Sequence, residues 1–150
     1  MDFSFIPKEC IGFQARAAAR AAIKLLDERL EAVGLRATQF SVLIAVNQMP
    51  EASIAALARA LDLEASALLR NLEVLKRDGL VLSNGKRGRG GQALLLTDEG
   101  KTLLKNGARI WRKTQDEIAA ELGAKTDRTR QALRDVEHAA RRLQKKENAS

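Results

Sequence analysis

Ile11, Ala15, Ala18, Ala22, Leu25, Leu26, Leu30 and Val33 recur at intervals of three and four residues, the spacing that gathers apolar side chains on one face of an α-helix. They predict a long first helix from about Ile11 to Val33, with Gly34 as its stop. Thr38 offers an N-cap for a short helix through Phe40, Leu43 and Val46, closed by Pro50. Ser53 caps the next one, whose inner face is Ile54, Leu57, Ala58 and Leu61. After a break at Asp62-Leu63 a further helix runs from roughly Glu64 to Asp78, and Gly79 ends it. Three short helices in succession, with a tight turn before the third, fit a helix-turn-helix.

Beyond Gly79 the period changes. Leu80-Val81-Leu82 and Ala93-Leu94-Leu95-Leu96 have the length of strands, and the segment between them, SNGKRGRGGQ, is rich in glycine and carries three cations without an acid. The expectation is a β-hairpin with a long cationic tip, a wing beside the helix-turn-helix. Thr97-Asp98-Glu99 then starts a helix, a capping hydroxyl followed by acids where the helix dipole favours them. It extends to about Leu122, with Leu104, Ala108, Trp111, Ile118 and Leu122 on one face, until Gly123 breaks it. A last helix from Asp127 to about Lys146 carries Leu133, Val136, Ala140 and Leu143. The fold class is mostly α with a small β-hairpin, a winged helix-turn-helix core flanked by N- and C-terminal helices. Residues 1–150 form one domain, with about 36–100 as the winged lobe. The apolar stripes at about 9–34 and 101–147 are more than a small lobe can cover, and a second copy of the chain is their natural cover.

Composition narrows the chemistry. In 150 residues, 26 Lys and Arg outnumber 19 Asp and Glu, a formal charge of +7 that favours polyanionic partners such as double-stranded DNA and equally serves solubility. One cysteine and one histidine leave no metal-ligand cluster, and no glycine-rich turn joins a strand to a helix, so neither an enzyme nor a cofactor is expected. The N-terminus lacks a signal-peptide pattern and no apolar run is long enough to cross a membrane, which points to the cytoplasm.

On the helix from Glu64 to Asp78, Leu68, Leu72 and Leu75 take the core side, and Ser66, Ala67, Arg70, Asn71 and Val74 take the other. Arg pairs with guanine O6 and N7, Asn with adenine, and Ala67 can touch a thymine methyl. Ser66 and the free N–H groups of the first turn suit a phosphate. Lys86, Arg87 and Arg89 are the wing's candidates for phosphates and the minor groove. Any one of these residues also fits a plain solvated surface; their order along the chain favours DNA. The rival reading is a winged-helix module that binds another protein.

The stretches GLRATQFSVL (34–43), IAALA (54–58), SALLRNLEVL (66–75), RDGLV (77–81) and LTDEG (96–100) resemble, in order and spacing, the winged-helix core of the MarR family of multiple antibiotic resistance regulators. That resemblance implies a homodimeric repressor on a pseudo-palindromic operator, with recognition helices in the major groove and wing tips in the minor groove, released by a small ligand or an oxidant. The family's wing commonly carries an Asp-x-Arg type motif; here Gly88-Arg89-Gly90 keeps Arg89 and lacks the acid. Cys10 lies where an oxidant-sensing branch of the family has its reactive thiol, although the tyrosines that hold it there are absent. Arg16 and Arg20, one turn apart, are candidates for holding a small aromatic or carboxylate effector; pairing with Asp27, Glu28 or Glu31 is the alternative.

Overall fold

The protein is seen here as a computed structural model that describes residues 1–88 and 91–149, the side chains of 84–88 and 91–92 lying outside that description. Its helices are α1 (Ile6–Glu9), α2 (Ile11–Leu30), α3 (Ala37–Gln48), α4 (Ile54–Leu61), α5 (Ala65–Arg77), α6 (Asp98–Leu122) and α7 (Thr126–Asn148). Single 3-10 turns at Glu31–Val33 and Gly123–Lys125 follow α2 and α6. Strands β1 (Val81–Gly88) and β2 (Gly91–Leu96) form one antiparallel pair. None of the helices is long and apolar enough to cross a membrane among the described residues. The chain divides into two units, residues 25–112 and the two termini, residues 1–24 with 113–150.

In the unit of residues 25–112 the core is built almost wholly from aliphatic side chains. Leu30, Val42, Leu43, Val46, Leu57, Leu68, Leu72, Leu75 and Val81 are essentially sealed from solvent, with Phe40 and Leu94 beside them. They come from α2, α3, α4, α5 and both strands, so each short helix is held by burial of its inner face rather than by propensity alone. Ser53 accepts a hydrogen bond from the Ala56 N–H at 3.1 Å and so caps α4 as expected. Thr38 does not cap α3. The helix begins two residues earlier than that cap implies, at Ala37, where Asp27 Oδ1 accepts from the Ala37 N–H at 2.6 Å and Gln39 Oε1 accepts from the Arg36 N–H at 2.9 Å. An acid ten residues upstream thus supplies the cap that local reading gave to a hydroxyl.

Asp62, at φ +52°, makes the left-handed turn between α4 and α5. The strands run further into the glycine-rich segment than their apolar runs indicate. Val81 pairs with Leu96, Leu82 with Leu95, Ser83 with Leu94 and Asn84 with Ala93, and the ladder resumes at Gly88 and Gly91 after an irregularity. Val81, Leu94 and Leu96 face inward, while Leu82 and Leu95 form an exposed cross-strand pair.

Thr97 fastens the hairpin to the start of α6. Its hydroxyl donates to the Gly79 carbonyl at 2.7 Å and accepts from the Gly100 N–H at 2.9 Å. Gly100 lies so close to the Leu80 carbonyl oxygen that a Cβ there would run into it. Further along α6, Leu103, Leu104, Ile110 and Trp111 pack on the core, and Gly107 fits against Phe40. Ala108, expected on that stripe, is exposed, because the face turned to the core is centred on Gly107.

The terminal unit differs. Among its described residues Thr114 is fully buried, and no large apolar side chain is. Phe3, Phe5, Ile11, Phe13, Ile23, Leu133 and Leu143 are each about half or more exposed. Within this unit α2 and α7 leave a groove of about 420 Å3, walled by Ile11, Ala15 and Ala18 on one side and Ala132, Leu133 and Val136 on the other. Thr126 anchors the turn into α7, its hydroxyl donating to the Ala119 and Gly123 carbonyls at 2.9 and 2.8 Å.

Candidate nucleic-acid interface

Helix α5 is amphipathic along its whole length. Leu68, Leu72 and Leu75 hold it to the core, each at most 2% exposed. At 100° per residue, Ser66, Arg70, Glu73 and Arg77 fall on a single stripe directly opposite, and all four are exposed. Ala67, Asn71 and Val74 lie along one margin of that stripe and are half-buried. Ala65, Leu69 and Lys76 lie along the other and are exposed.

The start of the helix is open for an anion. Glu64 occupies the N-cap position in extended conformation, and no side chain caps the first turn. Its carbonyl accepts the Leu68 N–H at 3.0 Å. The N–H groups of the preceding turn therefore point outward beside Ser66, where an anionic oxygen can accept them. Arg70 has no acid partner among the described residues, so its five donors are unspent. Arg77 differs, since its Nε lies 3.3 Å from Asp78 Oδ1. Glu73 places a carboxylate between the two arginines, one turn from each.

Asn71 is positioned differently from Arg70. Its Nδ2 donates to the Ala67 carbonyl at 2.9 Å, a bond back along the helix that turns the amide toward the margin. One N–H and the amide oxygen remain for another partner. Ala67 sits over the same margin. Ser66 and Arg70 thus share the centre of the outward stripe, with Ala67 and Asn71 to one side of it.

In the hairpin, Lys86 and Arg87 belong to β1, and their side chains lie outside the described residues. Arg89 lies outside them altogether. Cys10, half-exposed, ends α1, its N–H donating to the Ile6 carbonyl at 2.8 Å. Arg16 and Arg20 are both exposed on α2. The Arg16 guanidinium stands over the Phe13 ring at 5.6 Å, and neither arginine lines the groove between α2 and α7. Of the acids suggested as their partners, Asp27 accepts the Ala37 N–H at the start of α3. His138 is exposed on α7.

Sequence reasoning passed over Leu69, which is 47% exposed on α5. The signal was available: position 69 is 100° from Leu68 and falls outside the stripe of Leu68, Leu72 and Leu75. An apolar residue type disguised its outward placement.

Residues 33–90 match the model of the MarR family. No curated protein matches the chain. Among solved structures, the M. tuberculosis transcriptional regulator MosR is 32% identical over 90% of this chain and 98% of that one, with a TM-score of 0.79. MosR in complex with DNA is similar at 32% identity and a TM-score of 0.77, over the same shares of the two chains. A cysteine-to-serine mutant of MarR from E. coli, complexed with operator DNA, shares the fold at 22% identity and a TM-score of 0.76, over 90% of this chain and 97% of that one.

Proposed function

The chain belongs to the MarR family of winged-helix transcription regulators, and we propose that it binds double-stranded DNA as a homodimeric repressor, reading a pseudo-palindromic operator with α5. The observation that carries the proposal is the outward stripe of α5. Ser66 and Arg70, which has no acid partner among the described residues, stand at its centre, over a helix start without a side-chain cap, on the last helix of a helix-turn-helix. Arg70 pairs with guanine, Ser66 and the first-turn N–H groups take a phosphate, and Ala67 and Asn71 read from the margin. Lys86, Arg87 and Arg89 of the hairpin contribute charge along the backbone and in the minor groove. The similarity to MosR, which has been solved with DNA, supports the same partner for this chain.

Residues of about 36–100 form the DNA-reading lobe, and about 9–34 and 101–147 join two copies. Exposed Ile11, Phe13, Ile23, Leu133 and Leu143 support that division, since a lone chain leaves them in water. Two lobes related by a two-fold axis meet half-sites one helical turn apart. Release is assigned to a small aromatic or carboxylate effector. The Arg16 guanidinium over the Phe13 ring, with exposed Arg20 one turn on, offers a cationic and an apolar surface together.

The test is selection of bound fragments from genomic DNA, followed by anisotropy titration of the winning fragment at two salt concentrations. The expected result is a two-fold related site bound by two chains, with affinity falling steeply as salt rises. Binding indifferent to sequence, or none, would contradict it.

A further inference from the structure

Among the described residues of the unit 25–112, the large apolar side chains left in water are Leu69 on α5 and the pair Leu82 and Leu95 on the hairpin. The core does not account for Leu69. Leu68, its neighbour in sequence, is completely buried, and Leu72 and Leu75 complete the inner stripe without it. Its position is specific: Leu69 and Arg70 stand at i+3 and i+4 from Ser66, so both are neighbours of that hydroxyl on the helix surface. A hydroxyl flanked by an apolar branch and a guanidinium therefore lies in the first two turns of the helix. Those turns are the part of a recognition helix that meets base edges.

The major-groove edges of DNA offer one apolar group, the C5 methyl of thymine. Leucine has no polar atom with which to use any other. Resting on the DNA-binding reading above, we propose that Leu69 determines specificity by packing on a thymine methyl within about two base pairs of the guanine read by Arg70. Adjacent helical residues have Cα atoms about 3.8 Å apart, and base pairs stack about 3.4 Å apart, so two neighbouring side chains span one or two steps. Contact with the methyl takes both apolar groups out of water. This assigns the thymine contact to an exposed leucine on the open side of the stripe, in addition to half-buried Ala67 on the other.

The experiment is a cycle between the side chain and the methyl group. Each thymine of the selected operator half-site is replaced in turn by deoxyuridine, which removes the C5 methyl and leaves every hydrogen-bonding group. The wild-type protein is expected to lose about fourfold in affinity at one position, the loss due to one buried methyl. Leu69→Ala is expected to weaken binding to the unmodified site and to lose all response to deoxyuridine at that position, while its thermal unfolding stays close to wild type. If no single methyl matters to the wild-type protein, or if Leu69→Ala responds to its removal as fully as wild type, the assignment is wrong. The methyl series on wild-type protein is decisive even if the variant folds poorly. Failure to select any operator would overturn the DNA-binding reading itself, which is a different result from a site without a critical methyl.

Discussion

Glu73 shows how much a single side chain on α5 can set. It stands on the same exposed stripe as Arg70 and Arg77, and no ion pair among the described residues neutralises it. A carboxylate facing a phosphate-lined groove repels, so Glu73→Gln should strengthen DNA binding by up to about fivefold at low salt, the scale of an exposed charge interaction. Anisotropy titration checks this, and the gain should shrink as salt rises. A loss of affinity on the same substitution would mean that the carboxylate accepts a hydrogen bond from a base. Individual residues were only partly legible in the sequence. Arg70 and Ser66 follow from helical period and residue type. The orientation of the Asn71 amide does not, because it depends on a bond to the Ala67 carbonyl that no spacing rule requires. Leu69 was readable by angle and hidden by chemistry.

The elements were more legible than their ends. Helices α4 and α5 have apolar stripes of 3.6-residue period that the core buries, whereas the stripe of α7 holds no buried residue and the four residues of α1 form none. Ends depend on caps, and caps can come from afar. Asp27 opens α3 although local reading names Thr38, and Thr97 closes the hairpin against α6 through the Gly79 carbonyl. Gly100 marks the same junction, where α6 approaches the Leu80 carbonyl too closely for a side chain. Gly100→Ala should therefore destabilise the fold by about 1–3 kcal/mol, the usual cost of overpacking, despite alanine's better helix propensity. Chemical denaturation measures it. A gain in stability would show that the junction opens without cost. The hairpin's outer rung was read as loop, because pairing of Gly88 with Gly91 is backbone geometry and leaves no apolar pattern.

At the scale of the whole molecule, one unit closes its own core and the other does not. The terminal unit leaves Ile11, Leu133 and Leu143 more than half exposed, each an apolar side chain on a long helix. The sequence displayed these stripes and implied a second copy to cover them; it gave no hint of the groove between α2 and α7. Leu133→Glu should shift the protein toward a monomer in sedimentation equilibrium and weaken operator binding with it, since half-sites read one at a time lose the gain of linkage. A variant that stays dimeric would place the subunit contact elsewhere. In the proposed function it is α5 that reads sequence. Its most direct test compares wild type and Arg70→Ala by anisotropy, on the selected operator and on a shuffled duplex of equal length. Arg70→Ala is expected to lose about 1–3 kcal/mol on the operator and far less on the shuffled duplex, with specificity relaxed at one base pair of each half-site. Equal losses on both duplexes, or none on either, would contradict it.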